Sequence, residues 1–169
     1  MHKNNRLIFV DAVTLSNFAL AGRFDLIVSR YGKRAVVTVE VLGEIYDGIA
    51  TGRQKLRVVA DSVLKNKLGC GQLSGRERVI YGELLNSLAP GEASCIACAQ
   101  VQKGVVATDD KAARVCCKEC GIALTGTIGI LLACCRDKSI TPGLADEVLS
   151  KIIHEGFYSP IHRITDLLP

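Results

Sequence analysis

Long apolar runs are missing from this chain. Its longest uncharged stretch, "CGIALTGTIGILLACC" from Cys120 to Cys135, is shorter than the roughly 18–20 residues a membrane-spanning helix needs. Three glycines interrupt it, so it reads as a buried strand, a turn and a helix. The apolar start "LIFV" is cut short by Asp11 and is too brief for a signal-peptide core. Both absences argue against membrane and export, so a cytoplasmic location is expected. The eight cysteines are then expected as thiols, not disulfides. A glycine-rich phosphate loop is lacking too, since "GTIG" (Gly126 to Gly129) is far too short for a dinucleotide fingerprint. His2, His154 and His162 are scattered, with no His-x-Glu or His-Cys partner nearby. There is no internal repeat, low-complexity segment or linker, and 169 residues suit one domain with one substantial core.

What is present is ordinary in bulk and uneven in detail. Hydrophobic residues make up 49% and charged ones 22%, as in globular proteins generally. The net charge of +4 is mild. Between Arg53 and Arg78, seven basic residues (Arg53, Lys55, Arg57, Lys65, Lys67, Arg76, Arg78) face only Asp61 and Glu77, a local balance of +5. Such a run can hold a polyanion, although a solvated face is its commoner meaning.

Strand and helix patterns alternate along the chain. "RLIFVDA" and "VVAT" read as buried strands that end in acids. "TLSNFALAGRFD" has helical spacing, with Thr14 as its expected cap and Gly22 as its stop. "RAVVTVEVLGEIYDGIA" reads as a strand around Val36 running into a helix that carries Glu40, Glu44 and Asp47. "LRVVAD" is a weaker strand candidate, and the glycine-rich "LGCGQLSG" reads as a loop. Helices follow in "GRERVIYGELLNSLA", "EASCIACAQVQKG" and "DKAARVCCKECG"; then come a short strand "IALTG" and helices "TIGILLACCRDK" and "TPGLADEVLSKIIHEG". Alternation of this kind predicts right-handed crossovers and a three-layer α/β/α domain around a mostly parallel, twisted sheet.

In such a sheet, ligands collect beyond the carboxyl ends of the strands. Asp11 and the Asp109–Asp110 pair sit at those ends, Glu92 opens a helix after Pro90-Gly91, and Glu44 lies inside a helix. Carboxylates converging there would repel one another unless protonated or neutralised by a cation. Oxygen ligands of this type suit Mg²⁺ or Mn²⁺, which activate water and stabilise charge on a phosphodiester. Helix capping explains the same acids without any metal.

The stretches "FVDAVTL", "VTVEVLGEI", "PGEASCIACAQ" and "VVATDDKAARVCCKECGIALTGTIGILL" resemble successive motifs of the PIN-domain family, in particular a subgroup of small prokaryotic PIN-like proteins. The similarity runs from about residue 7 to 151; the tail, 152–169, matches no motif and its role is left open. The resemblance implies an α/β/α nuclease that cuts RNA with Mg²⁺ or Mn²⁺, of the kind that includes toxins of toxin–antitoxin pairs. By motif, it assigns metal-binding and catalytic roles to Asp11, Glu44, Glu92, Asp109 and Asp110. Thr108 would orient the acids or a water, and Glu40 is the alternative to Glu44. RNA, an antitoxin protein and a second copy of the chain are the partners it implies. A catalytically inactive module of the same fold that binds RNA or protein is the alternative function.

Cys95-x-x-Cys98 and Cys117-x-x-Cys120 have the separation of a four-cysteine zinc site, which keeps a zinc-stabilised module as a third reading. Both pairs fall inside helical patterns, however, where cysteine behaves as a small buried hydrophobe. Ser16 and Asn17 follow the first-strand acid and either reach the acids or a scissile phosphate or lie on a plain helix surface, and Arg114 is expected to pair with Glu119 or to contact phosphate.

Overall fold

The computed structural model describes residues 6–169. Its centre is a five-stranded sheet of β1 (Ile8–Val10), β2 (Ala35–Thr38), β3 (Gly69–Gly71), β4 (Val105–Ala107) and β5 (Ala123–Thr125), in the order β3-β2-β1-β4-β5. Every pairing is parallel. A parallel sheet is covered on both faces, and β1 accordingly is buried at all three positions.

The covering helices are α1 (Ala12–Leu20), α2 (Asp25–Tyr31), α3 (Val39–Ala50), α4 (Arg57–Leu64), α5 (Gly75–Leu84), α6 (Pro90–Gln102), α7 (Lys111–Glu119), α8 (Thr127–Arg136) and α9 (Pro142–His154). Together with the sheet they make the expected three-layer α/β/α fold. From β1 the chain steps outward to β2 and β3, then crosses back to place β4 and β5 on the other side of β1. The strand order therefore reverses between β1 and β4, and a crevice opens beyond their carboxyl ends.

Several local expectations are corrected. "LRVVAD" lies in helix α4, because Leu56, Val59, Ala60 and Val63 form a helical stripe facing inward. "LGCGQLSG" is not wholly a loop: Gly69–Gly71 form the edge strand β3. Glycine is required there by close approach, since a Cβ on Gly69 would meet Lys33 O at 2.8 Å and one on Gly71 would meet Val36 at 2.9 Å. Helix α2, unforeseen, follows Gly22, whose φ of 72° turns the chain after α1. The cap of α1 is Asp11, which accepts a hydrogen bond from Thr14 N. Thr14 is thus the donor in that cap.

Four of the cysteines pack in the core as expected, whereas Cys70 and Cys120 are exposed. Cys95, Cys98, Cys117 and Cys134 belong to the apolar core with Phe9, Phe18 and Ile96, and all eight cysteines are free thiols. The tail after α9 folds back onto the body: Ile164 is fully buried. Asp146 on α9 accepts hydrogen bonds from Thr165 N at 3.0 Å and Thr165 Oγ1 at 2.8 Å.

Candidate functional site

Asp11 ends β1 and begins α1, so its backbone joins both elements. Its N–H donates to Ala107 O at 3.0 Å, tying β1 to the end of β4. Its Oδ1 accepts from Thr14 N at 2.7 Å, while its Oδ2 is buried without a hydrogen-bond partner. Burial is the main force that pushes the carboxyl up to about 6. The polar groups of Thr108 and Thr14 oppose that shift, and the charge of Asp109 adds to it. An orphaned buried carboxylate oxygen is costly, and this one stands at the switch point of the sheet.

β4 delivers the next residues. Thr108 is fully buried; its N–H donates to Thr125 O at 3.1 Å, and its hydroxyl accepts from Asp110 N at 3.1 Å. The two aspartates then diverge in role. Asp109 accepts from Thr127 N at 3.0 Å and Thr127 Oγ1 at 2.6 Å, with longer contacts from Thr14 Oγ1 and Asn17 Nδ2 at 3.4 Å each. Asp110 caps α7 by accepting from Ala113 N at 2.8 Å. Arg114 donates from Nη1 to Thr108 O at 2.9 Å and Thr125 O at 3.2 Å, stapling the ends of β4 and β5. The expected pairing with Glu119 gives way to that staple.

Glutamates close the other side. Glu44 on α3 accepts from Gly91 N at 2.8 Å, which pins the start of α6 to α3. Glu92, third in α6, accepts from Ala89 N at 3.2 Å. Its carboxyl is held above the usual range, chiefly by burial; the Ala89 N–H pulls it back, and the charges of Asp110, Asp11 and Glu44 push it further. Asp11, Glu44 and Asp110 thus all stand near enough to Glu92 for their charges to act on it. Among the described residues, no three His, Cys, Asp or Glu side chains stand close enough to grip an ion between them. Glu40, one turn before Glu44, has a buried Oε2 without a partner.

Both Cys-x-x-Cys pairs lie on helices, Cys95 and Cys98 on α6 and Cys117 at the end of α7 with Cys120 just beyond it. Cys120 is exposed while Cys117 is buried. Burial first of all pushes Cys98 and Cys117 up to about 12, as for thiols packed as small apolar groups in a core.

All seven residues of the basic stretch are exposed. Arg53 lines a cavity of about 400 Å³ with Glu44 and Asn17. Lys55 is committed to Glu155, at 3.1 Å, and to Leu20 O, at 2.9 Å. Arg57 donates to Gln54 Oε1 at 2.7 Å, and Arg78 to Leu73 O at 3.2 Å. Lys65, Lys67 and Arg76 lie farther along the same exposed stretch. His154 and His162 are exposed as well, and His2 lies outside the described residues.

Sequence reasoning singled out Asn17 but missed Thr127 as an anchor for Asp109. Its signal is present in "LTGTIG": the threonine that opens α8 points its N–H and hydroxyl at the acid.

A family model described as PIN domain matches residues 7–169. The chain belongs to the PIN-domain family. No curated protein matches it. PIN domains are in general nucleases that work with divalent metal ions. The match to the PIN domain runs through the C-terminal tail. Among the described residues, no helix of this PIN domain is long and apolar enough to cross a membrane.

Proposed function

We propose that this PIN domain is a metal-dependent endoribonuclease in which Mg²⁺ or Mn²⁺ is held by one or two of Asp11, Glu44, Glu92 and Asp110 directly and by the others through water. The observation that carries the reading is Asp11 Oδ2, buried and unpartnered beside other carboxylates at the β1/β4 switch point. Carboxylate oxygens suit these cations, which need one or two such ligands and otherwise keep water. When bound, the ion supplies a hydroxide-like water and neutralises charge on the phosphodiester.

The chain's own groups divide the remaining work. Asp11 keeps Oδ2 without a hydrogen-bond partner while its Oδ1 accepts from Thr14 N. Asp110 uses Oδ1 to cap α7, which leaves Oδ2 for an ion or a water. Asp109 is a positioning residue as well as a charge, because Thr127 and Asn17 hold its carboxylate. Thr108 orients Asp110 through the backbone N–H it accepts. Exposed Arg53, Lys65, Lys67 and Arg76 then attract the RNA backbone, with an affinity that falls as salt rises.

Purified protein should cut single-stranded RNA in Mg²⁺ or Mn²⁺ and stop in excess EDTA. RNA binding without cleavage in either ion would instead favour an inactive binding module. A sharper prediction concerns Gly91. A Cβ there would lie 2.7–2.9 Å from the Glu44 carboxylate, and the flexible glutamate is what must move. Gly91→Ala is therefore expected to lower kcat by about tenfold or more while the melting temperature changes little. Equal loss of stability and activity would show that Gly91 serves packing only.

A further inference from the structure

Tyr158 is 93% exposed, whereas the next most exposed aromatic among the described residues, Tyr46, is 47% exposed. Its place in the fold is built rather than loose. Gly156, with φ of 107°, turns the chain out of α9, Phe157 N donates to Ile152 O at 3.2 Å, and buried Ile164 anchors the segment beyond. Lys55 reaches across to Glu155 and holds the start of this turn against the body.

Phe157 and Tyr158 line two cavities at once. One, of about 400 Å³, contains Glu44, Asn17 and Arg53. The other, of about 470 Å³, contains Asp109, Arg114, Leu124 and Ile128. Both volumes fall in the range of ordinary ligand sites, and each cavity includes one of the acids of the candidate centre. The tail thus sets an exposed aromatic side chain at the boundary of two clefts, one lined by Glu44 and the other by Asp109.

We infer that the Phe157–Tyr158 turn is a nucleobase subsite, at which a base of single-stranded RNA stacks on Tyr158 while its phosphate lies toward the acids. This rests on the nuclease reading and adds to it a role for the tail. The flat, uncharged face of a base can stack on Tyr158 without repulsion from Glu44 and Asp109, which line the two clefts. Apolar walls from Leu124 and Ile128, with the Arg114 guanidinium at the edge, match the stacking surfaces that bind unpaired bases. A base held in a helix presents only its edge, so a duplex cannot use Tyr158 in this way.

The test compares wild type, Tyr158→Phe and Tyr158→Ala for binding a fluorescein-labelled RNA octamer by anisotropy, in Ca²⁺. An octamer carrying abasic positions and a blunt duplex serve as controls. Tyr158→Ala is expected to weaken single-strand binding roughly tenfold or more, with Tyr158→Phe within about twofold of wild type, at unchanged melting temperature. The abasic octamer should bind all three proteins alike. Overturning results are Tyr158→Ala binding as wild type does, an equal Tyr158-dependent loss with abasic RNA, no measurable RNA binding, or a protein partner that needs Tyr158 while RNA does not. Cleavage in Mg²⁺, measured alongside, separates the two readings. A protein that binds through Tyr158 without cutting keeps the subsite and loses the nuclease; one that cuts and ignores Tyr158 does the reverse.

Discussion

Asp11→Asn is expected to lose RNA cleavage, by at least about 100-fold, and yet to yield a protein more stable than the parent at pH 7 in the absence of divalent ions. The size of the activity loss follows from the residue's position: even partners one step removed from a metal cost roughly 10–100-fold when changed, and Asp11 would touch the ion directly. The gain in stability has a separate origin. Moving the carboxyl from 3.8 to about 6 means that its ionised form is destabilised in the folded state, on the order of 3 kcal/mol. Asparagine keeps Oδ1 in place for Thr14 N, and it caps a helix about as well as aspartate. Its amide, placed where Oδ2 has no partner, costs about 1–3 kcal/mol, so a net gain of about 1 kcal/mol is expected in a urea titration. Loss of activity accompanied by lower stability would mean that Asp11 is simply a structural cap. Full activity in the variant would remove the metal site altogether.

That double effect shows how unevenly the site can be read from sequence. The β-branched run ending at Asp11 and the "TDD" after Val106 are legible because a buried parallel strand has a strong local pattern and its end has a fixed chemical meaning. The division of labour within the pair is not legible. Asp109 and Asp110 are neighbours in sequence, but Asp109 is held by Thr127 and Asn17 from two distant helices, whereas Asp110 caps its own helix. Only the folded arrangement distinguishes them. Edge strand β3 was hidden for a related reason: its glycines carry the usual signal of a turn, while their purpose is close contact with Lys33 O and Val36. Helix α4 was mistaken because "LRVVAD" is too short for its period to show, and its stripe begins at Leu56 and ends at Val63. The cysteines illustrate the converse. Their spacing imitates a zinc site, but helix geometry sends Cys117 into the core and leaves Cys120 outside.

Protons and divalent ions should compete for the same carboxylates, which gives the second large expected effect. Asp11 is raised to about 6, and Glu92 is raised too. Between about pH 4 and 6 the folded protein therefore holds protons that the unfolded chain has released, so metal-free stability falls as pH rises through this window. Glu77 and Asp146 act in the opposite sense: burial opposes ionisation, but hydrogen bonds from Gln102 and Ser74, and from Thr165, prevail and lower them. The stability they contribute is lost only as pH falls below the ordinary carboxylate range, outside the Asp11 window. A divalent ion held by these acids would bind their ionised forms, so its stabilising effect is expected to appear as pH rises past about 6. At 100-fold excess over Kd it contributes about 2.7 kcal/mol, which for a chain of this size raises Tm by roughly 5–10 °C. At pH 5, where Asp11 is mostly protonated, the same Mg²⁺ or Mn²⁺ concentration should raise Tm by far less. Melting curves at pH 5 and 7.5, with and without the ion, measure the difference directly, and Asp11→Asn should flatten it. Equal metal shifts at both pH values, or none at pH 7.5, would place ion binding away from Asp11 and leave its orphaned oxygen unexplained by a metal.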